Sequence, residues 1–259
     1  MNETINLLQS HRSIRQFQNK EIEVDKIKEI IKSAQFASTS SFLQAYSIIR
    51  VKNEDTLREI SKIRDEELLS QRQPESAAIG NQNYIISAPL FLIFCADLHR
   101  LRSIGEYKKF DVKVGNVELL ISATVDASLV AQNAMIAAES LGIGGVYVGA
   151  IRNNPQKICE LLNIPTYVYP VFGMSLGYPD QKVEKKPRLP VEVIYHEDKY
   201  NPVFNSEEIE KYDSIISDYY SKRTTNRKDT TWTQQIPKKL SQEWRPFMKD
   251  FLESKGFYF

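Results

Sequence analysis

The feature that most constrains this chain is one long, nearly uncharged helical pattern. Residues 116–141 are rich in Ala, Ser, Val and Leu and contain few charged side chains. A helix that is apolar around most of its surface is typical of the buried centre of a large domain. Gly142 predicts its end, because glycine readily takes the left-handed backbone that closes many helices. We therefore expect a globular domain built around a central buried helix.

Shorter patterns on both sides of this helix alternate between strand and helix. Residues 90–95 are continuously apolar, as expected for a buried strand. The alternation predicts a mixed α and β class. We expect a single domain over 1–259, in which residues from about 200 onward form a helical arm. The expected helices are 3–9, 25–36, 54–63, 116–141, 155–162, 206–222 and 236–255. The expected strands are 47–51, 90–95, 145–148 and 170–176, and the expected irregular segments are 178–190 and a loop or lid at 71–83.

Composition narrows the functional classes. The chain has 259 residues and a net charge of +1, so no overall charge favours nucleic acid or an acidic membrane surface. Cys95 and Cys159 form no disulfide or metal-binding pattern and are interpreted as small buried hydrophobes. The first residues do not resemble a signal peptide, and the most apolar run, 89–96, is far shorter than the roughly 20 residues that span a bilayer. We expect a cytoplasmic protein.

Several common catalytic motifs are absent from the sequence. It has no HExxH or clustered Cys/His set for a metal, no G-x-S-x-G elbow and no G-x-x-x-x-G-K-[ST] phosphate loop. The glycine-rich stretch 142–145 follows a helix and precedes a strand, the reverse of the order in a Rossmann dinucleotide site. We interpret Gly142 as a helix cap. A ligand contact is expected instead at the strand end 147–150, where Gly149 lets a flat ligand approach the backbone.

Three polar clusters carry the remaining chemistry. The segment HRSIR at 11–15 places two guanidinium groups, an imidazole and a hydroxyl within five residues, a set suited to a phosphate or another planar anionic group. Residues 185–188 form a second basic cluster, and residues 38–41 are four consecutive hydroxyl side chains. Taken singly, each cluster is more often a solvated loop or turn than a site. The two basic clusters also leave open a simple anion-binding module with no preference for a cofactor.

The ordered set of segments resembles the FMN-dependent nitroreductase family, in particular its branch of NADPH-dependent nitroreductases and flavin reductases. The resemblance covers essentially the whole chain. It implies an α+β subunit with a central, mostly antiparallel sheet, a C-terminal helical excursion, and a homodimer with two FMN sites at its interface. The segments that carry it are HRSIRQF at 11–17, STSSFLQAYSIIRV at 38–51, AQNAMIAAESLGIGGVYVGAIRNNP at 131–155, FGMSLGYP at 172–179, KPRLP at 186–190, HEDKYNP at 196–202 and SQEWRPFMKDFLESKGF at 241–257.

The resemblance also implies FMN contacts from several parts of the chain. The phosphate and the N1–O2 edge of the flavin are expected to meet His11, Arg12, Ser13 and Arg15, with a second phosphate clamp at Lys186 and Arg188. Hydroxyl contacts from the other subunit are expected at Thr39 and Ser40. A polar pair beside the flavin ring is expected at Gln82 and Tyr84. The backbone at the N5–O4 edge is expected to come from Tyr147, Val148, Gly149 and Ala150.

The activity implied by the resemblance is hydride transfer from NADPH through FMN to a small electron acceptor such as a nitroarene, a quinone or free flavin. Arg223 and Arg227 match a basic loop that contacts the 2′-phosphate of NADPH. No metal and no side-chain nucleophile are implied, since the cofactor carries the redox chemistry. A ping-pong cycle, in which NADPH leaves before the electron acceptor binds, is expected because both would share one site and the sequence has no second binding fingerprint. The alternative is a non-catalytic, regulatory dimer that binds flavin.

Overall fold

The computed structural model describes residues 2–63, 82–223 and 227–259. The chain divides into two compact units, the first comprising residues 1–183 and 247–259 and the second comprising residues 184–246. The predicted loop or lid 71–83 lies outside the described residues except for its last two positions, Gln82 and Asn83.

The first unit is organised around an antiparallel sheet that has four strands among the described residues. The strands are β1 (Tyr46–Val51), β2 (Leu90–Asp97), β3 (Gly144–Val148) and β4 (Val168–Gly177), in the spatial order β1-β2-β4-β3. Strand β2 is buried at every position and β4 at all positions but one, which explains why both are uninterrupted apolar runs in the sequence. The antiparallel sheet and its helices confirm the expected α+β fold.

The helices agree with most of the predicted segments. Helices that the sequence analysis did not predict are α4, α5 and α8. The bounds are α1 (Glu3–Ser10), α2 (Val24–Gln35), α3 (Glu54–Ser61), α4 (Asn83–Ile86), α5 (His99–Lys108), α6 (Val117–Ser140), α7 (Pro155–Leu161), α8 (Val191–Ile194), α9 (Ser206–Lys222), α10 (Trp232–Leu240) and α11 (Met248–Ser254). Short 3₁₀ turns lie at Ser40–Phe42 and Gly149–Asn153.

Asparagine is the recurrent N-cap of these helices. Its side-chain oxygen accepts the backbone N–H three residues later and so satisfies one of the donors that a helix start leaves free. This local bond explains why the predicted starts of these helices are nearly correct. The capping residues are Asn2, Asn53, Asn116, Asn154 and Asn205.

The prediction of a single helix over 236–255 is wrong. The structure has α10 and α11 in its place, with residues 241–247 between them. Arg245 lies in the left-handed region with φ 56°. Pro246 disfavours helical backbone at the residue before it and has no N–H to donate to a helix. The helical pattern is therefore interrupted at a proline, and α11 belongs to the first unit whereas α10 belongs to the second.

The long helix α6 contributes to both cores of the first unit. Its first half joins the core formed with Phe91 and Ile93 of β2, and its second half joins the core formed with Leu90 and Leu92. Among the described residues it is also the one helix long and apolar enough to cross a membrane, a test that core helices of globular proteins pass as well. Gly142, with φ 76°, closes the turn after α6, which confirms the helix-cap interpretation.

One face of α6 departs from the expectation of a buried helix. Apolar side chains recur on this face every fourth residue and are 40–53% exposed. The prediction of full burial is therefore wrong for this face of the single chain. Apolarity predicts that a surface is covered, but it does not tell whether the same chain or another covers it. The exposed residues are Val117, Ile121, Val125 and Leu129.

The segment 11–18 lies along the edge of the sheet. Ser13 forms a parallel bridge with Gly145, and the N–H of Ile14 donates to the Gly145 carbonyl at 2.9 Å. Ile14 itself is buried. A Cβ at Gly144 would lie 2.6 Å from the Ile14 side chain, so glycine is required for this close approach. The segment thus behaves as a short extra strand beside β3.

We predict that alanine destabilises the protein at one of two glycines near the ends of β3 and has little effect at the other. Gly144→Ala is expected to lower the free energy of unfolding by about 1–3 kcal/mol, because the new methyl group overlaps Ile14. Gly149→Ala is expected to change it by less than about 0.5 kcal/mol, since its Cβ would meet nothing closer than 3.4 Å. Urea unfolding of the cofactor-free variants measures both values, and an equal loss for the two would contradict the proposed packing.

Candidate functional site

His11 is held by a carboxylate from α6. Its Nδ1 lies 2.6 Å from Oε1 of Glu139, which is largely buried in the last turn of the helix. A carboxylate partner makes Nδ1 the hydrogen-bond donor, so Nε2 is the ring nitrogen that remains for another contact. Arg12 and Arg15 on the same segment are exposed, and Ser13 is half-buried.

Arg15 lies close to the predicted polar pair. Burial raises the pKa of the Tyr84 phenol, and the nearby Arg15 guanidinium acts in the opposite direction. Gln82 is buried, its amide donating to the Ile63 carbonyl at 3.3 Å and its oxygen lying 3.5 Å from the Tyr84 hydroxyl. The structure therefore brings Arg15, Tyr84 and Gln82 together, although they are almost 70 positions apart in the sequence.

The residues of the strand end at 147–150 are buried or half-buried. The Tyr147 ring packs edge-on against Phe172 at 5.3 Å, and its hydroxyl is 3.2 Å from Gln132 of α6. Burial, with a smaller contribution from Glu139, raises the pKa of Tyr147. Val148 is buried, and Ala150 is half-buried. At Gly149 an added Cβ would lie no closer than 3.4 Å to another atom, and the three nearest atoms all belong to the Arg152 guanidinium.

Segment 11–15 lies at the edge of the sheet that β3 forms. The Ser13–Gly145 bridge is parallel, and four residues later Phe17 pairs with Pro179, just after β4. Arg15 lies between these two bridges, with its guanidinium near the Tyr84 phenol. A guanidinium beside an aromatic ring at a sheet edge suits a planar, electron-rich ligand, which fits a flavin.

The hydroxyl loop that contains Thr39 and Ser40 is held by a different part of α6. Asp126, completely buried, accepts the N–H of Ser40 at 2.8 Å and the N–H of Ala45 at 3.0 Å. Between them, Ser41, Phe42 and Gln44 have φ values of 48°, 57° and 51°. Each left-handed non-glycine residue costs about 1–3 kcal/mol. Charge-assisted bonds to a buried carboxylate are strong enough to offset part of this strain.

The hydroxyl loop and His11 lie far apart within one chain. Asp126 and Glu139, which hold them, are 13 residues apart on the same helix, and this separation is about 20 Å along the helix axis. The contact of Thr39 and Ser40 with a cofactor held mainly by another subunit stays a prediction.

Lys186 and Arg188 belong to the second unit, where tyrosines of α9 hold the backbone and side chains of their segment. Tyr212 donates to the Pro187 carbonyl at 3.3 Å, and Lys186 Nζ lies 5.6 Å from the centre of the Tyr220 ring. Burial alone would raise the pKa of Tyr220, but hydrogen bonds from Lys186 and Gln235 outweigh it and lower the pKa. The Arg188 guanidinium donates to the Lys186 carbonyl at 2.7 Å.

The predicted NADPH-binding arginines lie at the C-terminal end of α9. Arg223 stacks over Tyr219 and Tyr220, with distances of 5.7 and 6.0 Å to the ring centres. Arg227 donates to the Ser221 carbonyl at 2.8 Å. A cavity of about 370 Å³ in this unit is lined by Arg227, but Arg223 is not among its lining residues; the others are Ser217, Ser221, Lys228 and Asp229.

Three polar residues that support these segments were missed by the sequence analysis. Glu139 and Asp126 are single acidic residues in an apolar helix, and Gln181 follows the last strand. Gln181 accepts the N–H groups of Arg15 and Gln16 at 2.9 and 2.7 Å. Their contacts join positions 81 to 166 residues apart. No local motif marks them, although a lone Asp in the middle of an apolar helix is a signal that it has a buried partner.

Comparison with known proteins relates the whole chain to characterised enzymes. The sequence is 40% identical over 263 residues to an FMN reductase (NADPH) of Bacillus subtilis, with 99% of each chain covered. It is 37% identical over 257 residues to an oxygen-insensitive NADPH nitroreductase of Salmonella typhimurium, again with 99% of each covered. The solved NADPH:FMN oxidoreductase of Vibrio harveyi, in complex with NAD⁺, superposes with a TM-score of 0.85 at 38% identity and 99% coverage of both chains.

Two family patterns match the chain, and the boundary between them lies close to residue 184, where the second compact unit begins. Residues 8–178 match the sequence pattern of the nitroreductase family, and residues 186–259 match the pattern described as the nitroreductase family, C-terminal domain. Together these matches include every predicted site residue. The chain belongs to the nitroreductase family.

Proposed function

We propose that this protein is an FMN-dependent oxidoreductase that passes hydride from NADPH to a small electron acceptor. The observation that carries the proposal is the edge of the sheet, where Ser13 of the HRSIR segment forms a parallel bridge with Gly145 of β3. Arg15 approaches Tyr84 at this edge. The whole-chain relatives bear the names FMN reductase, NADPH-flavin oxidoreductase and NADPH nitroreductase, which supports both the cofactor and the reductant.

Each part of the proposed site has a physical task. Bound FMN supplies the hydride-accepting chemistry. Arg12 and Ser13 donate to the phosphate, His11 lies beside them, and Lys186 and Arg188 form the second clamp. Arg15 offers a fixed positive charge to the N1–O2 edge, where preorganised charge in a desolvated site is most effective. The backbone N–H groups at 148–150 hold the N5–O4 edge, and Gln82 and Tyr84 flank the ring.

A homodimer completes the site in this proposal. The anchors of His11 and of Thr39–Ser40 are about 20 Å apart on one α6, and this spacing supports a site that takes its hydroxyls from a second copy. The exposed stripe on α6, which includes Ile121 and Val125, supplies the apolar surface that a stable dimer buries. Light scattering is expected to give twice the chain mass of 29.9 kDa, and a monomer at working concentrations would contradict the shared site.

The proposal also includes a class of substrate and a cellular location. An open flavin face admits flat acceptors such as nitroarenes, quinones or free flavin, used after NADPH in a ping-pong cycle. The proposed partners include neither nucleic acid nor a membrane. The proposed location is the cytoplasm. A non-catalytic, regulatory flavin-binding dimer has no support among the relatives, which are named as reductases.

The first prediction for this function concerns Arg15. Purified protein is expected to bind FMN, to lose its yellow colour on addition of NADPH, and to regain it with a nitroarene or quinone. Arg15→Ala is expected to weaken FMN binding about tenfold to hundredfold, through loss of charge-assisted hydrogen bonds. Arg58→Ala, at an exposed ion pair of α3, serves as the matched control and is expected to have no effect. Fluorescence titration with FMN measures both, and a protein that takes up no FMN would refute the proposal.

The second prediction concerns the reductant. Arg223→Ala combined with Arg227→Ala is expected to raise the KM for NADPH about tenfold or more and to leave the KM for NADH within about twofold, because only NADPH carries the 2′-phosphate. Lys238→Ala with Lys239→Ala, at exposed positions of α10 in the same unit, is the control for loss of two positive charges. Equal effects on both nucleotides would remove the assignment of the two arginines.

A further inference from the structure

Gln181 supplies hydrogen bonds that the backbone at Arg15 does not obtain from a strand. The segment 16–18 pairs with 178–180: the N–H of Gln18 donates to the Tyr178 carbonyl at 2.9 Å, and the N–H of Asp180 donates to the Gln16 carbonyl at 3.0 Å. One residue further on, the side-chain oxygen of Gln181 accepts both the Arg15 and the Gln16 N–H groups. An amide oxygen has two lone pairs and can accept two such bonds.

These bonds act directly on the conformation of Arg15. The N–H groups of Arg15 and Gln16 lie on either side of the Arg15 Cα, so one acceptor for both restricts φ and ψ at that residue. On the other side, the Ile14 N–H is bound to Gly145 and the Ile14 side chain is buried. The direction in which the Arg15 side chain leaves the backbone is thereby determined before any ligand binds, and its guanidinium lies near the Tyr84 phenol.

The segment that carries Gln181 is itself anchored. Tyr178 donates to Glu23 at 2.5 Å and accepts from Lys26 at 2.8 Å, and Lys20 lies 4.0 Å above its ring. The hydrogen bond from Tyr178 lowers the pKa of Glu23 to about 2, so the carboxylate acceptor persists over the whole physiological pH range. Gln181 therefore projects from a segment with a fixed backbone and not from a free loop.

We propose that Gln181 is a positioning residue that holds the Arg15 guanidinium at the N1–O2 edge of the flavin. The inference rests on the function proposed above and adds a residue that touches neither cofactor nor substrate. Reduced flavin gathers negative charge at this edge, and a preorganised cation stabilises it more than a mobile one does. Loss of Gln181 therefore weakens the binding of reduced FMN more than that of oxidised FMN.

The test compares Gln181→Met with Gln18→Met in the full-length protein. Methionine keeps the side-chain length but has no strong acceptor. Gln18 is the matched control, because its amide bonds to the Pro179 carbonyl at 3.0 Å in the same pair of segments and leaves the Arg15 N–H untouched. The quantities measured are the Kd of oxidised FMN, the flavin reduction potential and the melting temperature.

Gln181→Met is expected to raise the ratio of the Kd for reduced FMN to that for oxidised FMN about tenfold, which makes the two-electron potential about 30 mV more negative. Gln18→Met is expected to leave the potential unchanged. Gln181→Asn, whose carbonyl is one methylene shorter, is expected to shift the potential in the same direction as Gln181→Met. In an Arg15→Ala background, Gln181→Met is expected to produce no further shift, because Gln181 acts only through Arg15.

The outcomes separate this inference from the function on which it rests. If Arg15→Ala shifts the potential and Gln181→Met does not, the role of Gln181 is overturned and the proposed function stands. The same conclusion holds if Gln181→Met shifts the potential equally with and without Arg15. If Arg15→Ala changes neither affinity nor potential, the role proposed for Arg15 is overturned, and that of Gln181 with it. A general loss of folding would lower the melting temperature without the dependence on Arg15.

Discussion

The packing of α6 against the sheet is the constraint on which the rest of the structure depends. Its two halves contribute to different cores, and its two inward carboxylates each hold a loop. Asp126 binds the backbone of the hydroxyl loop, and Glu139 binds the ring of His11. Because a helix is rigid, the spacing of these two residues along α6 determines the distance between the loops. The apolar stripe on α6 lies on the same helix as both anchors and is exposed in the single chain.

The sheet edge beside β3 shows how a polar segment is preorganised. Glycine at 144 lets Ile14 lie against the strand, and Gly177 makes similar room for Phe17. Backbone bonds to Gly145 and Tyr178 and side-chain bonds from Gln181 then fix the segment from both sides. The cost of ordering the backbone of this segment is met during folding and not on binding, which is the general advantage of a preorganised site. The chain thus holds the backbone that carries Arg12 and Arg15 in a fixed position and leaves the redox step to its cofactor.

The second unit follows the same principle with aromatic residues. Tyr212 and Tyr220 form its small core with Ile216, and they also contact the segment of Lys186 and Arg188. The Tyr220 ring also lies under Arg223. It therefore contacts both Lys186, which is proposed to bind FMN, and Arg223, which is proposed to bind NADPH. Rings that are polar at one end and apolar elsewhere suit this double use.

Local patterns in the sequence were sufficient for most elements. The apolar helical pattern with its Gly142 terminator predicted α6, and the continuous apolar run predicted β2, within a few residues, because each depends on neighbours in the chain. The antiparallel sheet and the site residues came instead from resemblance to a family, and the roles of individual residues remain predictions. The break at Arg245–Pro246 was missed because the apolar pattern of a helix continues across it.

Only the tertiary structure decided which distant positions of the chain contact one another. The sequence by itself determined a domain built on one apolar helix, a phosphate-suited cluster at 11–15 and the absence of metal and nucleophile motifs. It did not determine that Glu139 would hold His11, that Arg15 would approach Tyr84, or that Gln181 would bind the backbone of Arg15. Nor did it show that one face of α6 stays uncovered in the single chain. Hydrophobic periodicity reports which residues avoid water, whereas folding in three dimensions decides which polar groups meet and which apolar faces find a partner.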